Sequence, residues 1–351
     1  MTRLTASVVV CAYSMERWDD LRAALRSAAE QNPAPDELWL VIDHNDELLA
    51  RARDQLVPEL PWLQVVANCR RRGLSGARNT ALERVGADIV IFLDDDASAE
   101  PGWLAALVEP YADPEVISVG GVAQPRWPEG SARPVTLPSA APGATWTVRG
   151  ELDWVVGCTY AGQPTQLTPV RNVMGCNMSL RRSVFTELGG FSEDLGRVGK
   201  IPLGCEETEL CIRATAKIPG AKILLNPLAR VRHHVSPDRL TWSYLLRRCY
   251  AEGVSKAAVS AMMGRDSALA TERAYVTKVL PAGVAREVRS VARGRAWAGL
   301  GGAAAVILGL VATAAGYARG SIALGEVRAH PPQLVLAAPS MADRGRARLA
   351  G

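Results

Sequence analysis

No glycine follows the first apolar stretch of this chain. After Val10 the residues run Cys11-Ala12-Tyr13-Ser14-Met15-Glu16-Arg17. A dinucleotide-dependent oxidoreductase needs a glycine-rich turn there, so that backbone amides can reach the pyrophosphate. A sugar nucleotidyltransferase opens on a glycine-rich loop with a basic residue for the triphosphate. The first class is excluded and the second is disfavoured. Cysteine pairing is also missing: Cys11, Cys69, Cys158, Cys176, Cys205, Cys211 and Cys249 form neither a CxxC pair nor a regular ladder, which argues against a disulfide framework or structural zinc and for reduced thiols. An excess of one charge is absent as well. Forty Lys and Arg against 36 Asp and Glu leave +4, so no nucleic-acid partner is expected. Met1-Thr2-Arg3-Leu4-Thr5 leads into an apolar run without a signal-cleavage pattern, and the expectation is a cytoplasmic protein.

What is present is a 351-residue chain, 48% hydrophobic, with enough apolar mass for a large core. ASVVVCA (6–12), LWLVID (38–43), LQVVA (63–67) and ADIVIFLDDD (87–96) are short and apolar, as strands buried on both faces of a parallel sheet must be. Helical spacing fills the gaps over 17–31, 46–56 and 76–85. Alternating strands and helices predict βαβ units and half of a doubly wound α/β domain. Ligands bind beyond the carboxyl ends of such strands. Tyr13, Asp43 and Asp94-Asp95-Asp96 all fall at such ends.

The stretch 122–168 is rich in Pro, Gly and Trp, and predicts long loops with short strands. Order resumes at 170–191, a strand leading to a helix ended by Gly189 and Gly190. A helix over 206–216 with acids in its first turn, a strand pair over 222–235 and a helix over 240–260 complete the expected catalytic domain, residues 1–260. Residues 261–325 form a C-terminal helical segment, and 326–351 a disordered tail. Within that segment, 296–318 contain no charge and could span a bilayer. Being Ala- and Gly-rich, they could equally lie in the membrane interface or pack on a partner. Arg286, Arg289, Arg293 and Arg295 precede them and would hold the catalytic domain at the inner face of the membrane.

Three adjacent carboxylates repel unless a cation stands among them, so Asp94-Asp95-Asp96 points to a divalent ion and a phosphate ligand. Mg2+ or Mn2+ suits carboxylate, phosphate and water oxygens. Alternation along an extended segment sends Asp94 and Asp96 to the same side.

VVVCAYSMER (8–17), LWLVID (38–43), RGLSGARNTAL (72–82), FLDDDA (92–97) and GGFSEDL followed by GCEETELCIR (204–213) resemble, in order and spacing, the family 2 glycosyltransferases over residues 5–255. The resemblance implies a GT-A fold, a Rossmann-like and mostly parallel sheet flanked by helices. It also implies inverting transfer of a sugar from a UDP-, GDP- or dTDP-sugar to an acceptor hydroxyl. Tyr13 and Asp43 match positions that hold the base and ribose, and Arg78 a basic residue of the nucleotide pocket. Asp94 and Asp95 belong to the donor site, and Asp96 with Asp94 to the metal. The general base of an inverting enzyme matches Glu207, with Glu206 in support and Glu209 as the competing assignment. The resemblance also places a histidine near the metal. Strand alternation allows only one of His233 and His234 to face it, and His234 is the expectation.

Arg247 and Arg248 either neutralise the departing diphosphate or form a solvated helix face. Trp154 and Tyr160 either stack on an acceptor sugar or pack a loop. Arg-rich flanks and the apolar segment 296–318 suggest a lipid-linked, cell-envelope acceptor, with a natural-product acceptor as the other course. A catalytically inactive, membrane-associated binding subunit of a polysaccharide assembly complex is the competing function.

Overall fold

The computed structural model describes residues 3–140, 148–198, 203–294 and 296–329. Arg295 and most of the C-terminal tail thus lie outside the described residues. The first half follows the expected alternation: β1 (Ala6–Ala12), α1 (Trp18–Ala29), β2 (Glu37–Ile42), α2 (Asp46–Glu59), β3 (Leu63–Ala67), α3 (Leu74–Leu82) and β4 (Ile89–Asp94). β3, β2, β1 and β4 lie side by side and pair in parallel. Alternation along β1 explains why its run is apolar throughout. Val8 and Val10 pack against Leu21 and Leu25 of α1 on one face. Val9 packs against Ala77 and Ala81 of α3 and Phe92 on the other. Each fully buried side chain of this kind is worth roughly 1.5–3 kcal/mol.

Beyond β4 the sheet is mixed. Next come β5 (Ala97–Ala99), α4 (Trp103–Val108), β6 (Val116–Arg126), β7 (Thr168–Pro169), β8 (Asn177–Arg181), α5 (Arg182–Leu188), α6 (Glu206–Lys217) and β9 (Lys222–His234). The order continues β4-β8-β6-β9-β5, with β8 antiparallel to both neighbours, β6 parallel to β9, and β5 antiparallel to β9. Strand β6 runs into the stretch that reads as loop, and two glycines just before residue 122 break its apolar pattern. The glycines are there for space: a Cβ on Gly120 would lie 2.6 Å from the Val173 side chain, and one on Gly121 only 2.1 Å from the Ala229 carbonyl. The expected strand pair over 222–235 is one long strand. Its register against β6 slips between Gly120↔Leu225 and Val122↔Arg230, around Pro227, which has no N–H for the ladder.

The C-terminal part comprises α7 (Trp242–Met263), α8 (Arg265–Ala268), α9 (Ala270–Ala274), a π-turn over Tyr275–Val279, α10 (Leu280–Ala292) and α11 (Ala296–Ala329). The boundary expected at 260 falls inside α7. The helix expected over 296–318 runs on to Ala329, so residues 326–329 of the expected tail are helical. Trp297–Leu324 is long and apolar enough to cross a membrane, with a mean hydropathy of 1.9. Along its small-residue face, however, it lies directly on α7. A Cβ on Gly253 would meet the Thr313 carbonyl at 2.0 Å, and one on Gly316 the Tyr250 carbonyl at 2.0 Å. Helix α7 carries Arg247, Arg248, Glu252 and Lys256, and charges cost several kcal/mol each in hydrocarbon. A spanning α11 would have to shed α7 or drag those charges with it. Gly253→Leu is expected to lower the unfolding free energy by about 1–3 kcal/mol through backbone overlap at this contact, measurable by thermal denaturation.

Candidate active site

The site forms where β4, β9, α3 and α6 converge. Strand β4 delivers Asp94 at its carboxyl end, and Asp95-Asp96 turn into β5. Pairing of Ala97 with His233 then clamps β9 alongside, and the His234 amide donates to the Asp96 carbonyl at 2.7 Å. This register sends the His233 ring toward Asp96, with Nε2 3.2 Å from Oδ1. Gly157 (φ 82°) supplies the floor, since a Cβ there would sit 2.9 Å from the ring. Ligand atoms of Asp94, Asp96 and His233 all lie within 4.8 Å of one another. His234 faces the other side of β9, where Nδ1 pairs with Asp20 of α1 and Arg126 joins the same carboxylate. The expected His234 is therefore replaced by its neighbour; strand alternation permits one histidine, and the β5 pairing selects His233.

Two features show that Asp94, Asp96 and His233 fit a divalent cation. His233 Nδ1 is a buried atom with no hydrogen-bond partner, and Asp96 Oδ1 has only the 3.2 Å contact with His233 Nε2, which falls short of good hydrogen-bond geometry. Two carboxylates and one imidazole also form a donor set suited to Mn2+ or Mg2+. Asp96 is prepared for the role. Burial would raise its pKa, but His233, Arg17 and Arg239 hold the carboxyl well below the usual carboxylate range. Arg17 Nη1 spans Asp95 Oδ1 at 2.8 Å and Asp96 Oδ2 at 3.1 Å. Asp95 is thus a buried anchor for Arg17. Sequence reading missed Arg17 as a partner of the aspartates; its place five residues after β1, beside Tyr13, was the available signal. His233→Ala should weaken Mn2+ affinity at least tenfold, and His234→Ala should leave it within twofold, as read by titration calorimetry.

Tyr13 and Asp43 stand at the ends of β1 and β2 as expected. Asp43 accepts from the Gly73 amide at 3.0 Å and from Asn68 Nδ2 at 2.7 Å, so it fixes the entry to α3. Tyr13 is half-buried with the Arg17 guanidinium 5.8 Å from its ring centre. Arg78 is buried deeper than a nucleotide-gripping residue needs. Its Nη1 donates to Glu206 Oε1 at 2.8 Å and its Nη2 to the Gly175 carbonyl at 2.9 Å, the latter nitrogen lying 3.6 Å from Asp94 Oδ1. Arg78 therefore couples the aspartate cluster to the start of α6.

Helix α6 begins at a left-handed Cys205 (φ 71°), a conformation rare outside glycine and one that clusters at functional sites. Its first-turn acids divide their roles. Glu206 pairs with Arg78, and Glu209 with Arg213 at 2.7 Å. Glu207 has no ion pair among the described residues. It is half-buried on the cavity wall, and burial together with Glu206 pushes its carboxyl up to about 8.

A cavity of about 760 Å3 joins these groups, reaching from Arg78, Asp94 and His233 past Glu207 to α7 and α11. Trp154 and Tyr160 both line it. Trp154 Nε1 donates to the Tyr275 hydroxyl at 3.0 Å, and Tyr160 meets the Tyr275 ring edge-on at 5.3 Å. Arg248 lines the cavity too, bonded to Glu252 at 2.9 Å. Arg247 is exposed and bonds the Ser243 carbonyl, because one helical step turns it some 100° away.

The profile of glycosyl transferase family 2 matches residues 7–189. The chain belongs to glycosyl transferase family 2. It is 34% identical over 254 residues to a glucosyl-dolichyl phosphate glucuronosyltransferase of Haloferax volcanii, covering 72% of this chain and 76% of that protein. It is 28% identical to the succinoglycan biosynthesis protein ExoM of Rhizobium meliloti, covering 71% and 73%. Among solved structures, a mannosyltransferase from Pyrobaculum calidifontis in complex with GDP-Man and Mn2+ superposes with a TM-score of 0.54 at 19% identity, covering 91% of this chain and 88% of that one. This family 2 glycosyltransferase therefore has the GT-A fold, a mixed sheet with flanking helices.

Proposed function

We propose that the enzyme transfers a sugar, with inversion, from a nucleoside-diphosphate sugar to a hydroxyl of a lipid-linked acceptor at the inner face of a membrane. One observation carries the reading. Arg78 ties Asp94 and Glu206 into a single unit, which puts the neighbouring Glu207 on the wall of the cavity that also holds the metal-type cluster. Asp94, Asp96 and His233 would hold a divalent ion, which when bound neutralises the donor diphosphate. Arg17 keeps Asp95 and Asp96 in place, and Tyr13 and Asp43 border the nucleoside end. Glu207 accepts the proton of the acceptor hydroxyl as its oxygen attacks the anomeric carbon; the sugar–diphosphate bond breaks, and the nucleoside diphosphate departs. Trp154 and Tyr160 face the acceptor, and Arg248 offers positive charge on the same wall.

The lipid-linked acceptor is supported by the relative whose name specifies a glucosyl-dolichyl phosphate, and by the apolar helix that borders the cavity. A donor screen that detects released nucleoside diphosphate with Mn2+ or Mg2+ present tests the reading. Turnover of one nucleotide sugar, stimulated by a lipid extract, is the expected result; no turnover with any donor and any acceptor extract overturns it.

A further inference from the structure

The wall of the cavity farthest from Asp94 is not made by the GT-A sheet. It is made by α7, the π-turn, α10 and α11, and it carries two kinds of surface. The first is cationic. Arg171, Arg248 and Lys256 stand there against Glu252 and Glu272, and a further lining cation, Arg273, is paired with Asp266. Arg248 Nε is a buried N–H with no acceptor, although Nη1 of the same side chain is bonded to Glu252. A donor left open beside an excess of positive charge suits an anionic oxygen.

The second surface is aliphatic. A groove of about 570 Å3 runs between α10 and α11, floored by Val284, Ala285 and Val306. It shares Val276, Leu280 and Leu310 with the catalytic cavity, so only these aliphatic side chains stand between the two spaces. Ile307 and Val311 of α11 line the groove at its open side, and the exposed Leu300 and Ile322 continue the same helix face beyond it, at spacings of 7, 4 and 11 residues along the four. Apart from Arg289, the groove walls are apolar. A polypeptide laid in it would bury unpaired backbone amides and carbonyls, whereas a hydrocarbon chain would leave no polar group unsatisfied.

We infer that the α10–α11 groove binds the hydrocarbon chain of a lipid-linked acceptor, with the lipid's phosphate against Arg171, Arg248 and Lys256 and its sugar extended to Glu207. The inference rests on reading the cavity as the acceptor site. It adds a role for α11 that no spanning helix would have: Gly309, Leu310 and Thr313 line the catalytic cavity, while Ile307 and Val311 line the groove on the exposed face that meets the membrane from which the acceptor comes.

The probe is dodecyl phosphate, used below its micellar concentration, against inorganic phosphate, in titration calorimetry of the full chain. Ala285→Trp fills the groove floor, and Val288→Glu places a charge at its exposed rim, where folding is not at stake. Dodecyl phosphate should bind the wild-type chain at least about tenfold more tightly than inorganic phosphate, and each variant should lose about tenfold of that advantage with unchanged phosphate affinity and unchanged thermal midpoint. Equal affinity for the two phosphates would overturn the inference. So would undiminished dodecyl phosphate binding by Val288→Glu, including the case where wild type and variant sediment equally with phosphatidylglycerol vesicles, which would leave membrane contact only. None of these readings requires turnover. A chain that binds the probe as expected but releases no nucleoside diphosphate would refute the proposed reaction and keep the groove.

Discussion

Glu207→Gln should lower sugar transfer about a thousandfold, within the range of roughly 10²–10⁴ that a positioned general base contributes. The amide keeps the size and the neighbours of the acid, so nucleotide binding with Mn2+ should stay within about twofold. Glu206 and Glu209 cannot substitute, because Arg78 and Arg213 hold them. The same residue sets a pH profile. A base works ionised, and the Glu207 carboxyl, raised to about 8 by burial and by Glu206, is protonated below that pH. The value of kcat/KM should therefore climb with pH and level off above about 8, reporting the free enzyme. The sign for stability is opposite. Above the ordinary glutamate range the folded chain holds a proton that the unfolded chain has released, so this group's contribution declines as pH rises toward about 8. Removing the acid should flatten both trends. A Glu207→Gln enzyme with unaltered kcat would transfer the base role elsewhere.

Arg78→Ala should be the most destabilising single change in the site, by about 3–5 kcal/mol, because it strands the Glu206 carboxylate in a buried position with its partner gone. Guanidinium stacking against Phe92 and Phe191, 5.5 and 5.3 Å away, is lost with it. Chemical denaturation checks the magnitude. The informative comparison is Arg78→Met with Glu206→Leu. Replacing both partners by apolar side chains of similar size should restore most of the stability, since the buried Glu206 charge is gone and Asp94, which also loses Arg78, is 29% exposed and reaches solvent. Activity should not return, because Arg78 also links Asp94 to the first turn of α6. Full recovery of activity in the double variant would reduce the Arg78–Glu206 pair to a packing element.

The residues that were legible in the sequence share a property. Val8–Val10, Leu38–Ile42 and Ile89–Leu93 are buried on both faces, so each must be apolar whatever the rest of the chain does, and the polar residue that ends each run stands out. That contrast marks Tyr13, Asp43 and Asp94–Asp96 in the sequence. The first turn of α6 was equally plain, because three acids at a helix start satisfy the macrodipole locally. Strand β6 was hidden because its Gly120 and Gly121 answer to Val173 and Ala229, residues distant in the chain.

By itself, then, the sequence determined the α/β alternation, the strand ends that face the site and the acids of α6, because these follow from periodicity and burial within single segments. Tertiary structure decided which of Glu206 and Glu207 is left without an ion pair among the described residues. Glu209 has Arg213 four residues on in the same helix, but nothing near Glu206 and Glu207 in the chain distinguishes those two, and the distinction comes from Arg78, 128 residues before Glu206. It decided between His233 and His234 through the β5 pairing, and it placed α11 against α7 and the cavity. The physical reason is common to all three: charge pairing, strand register and helix packing are long-range contacts, settled by which groups the fold brings within a few ångströms.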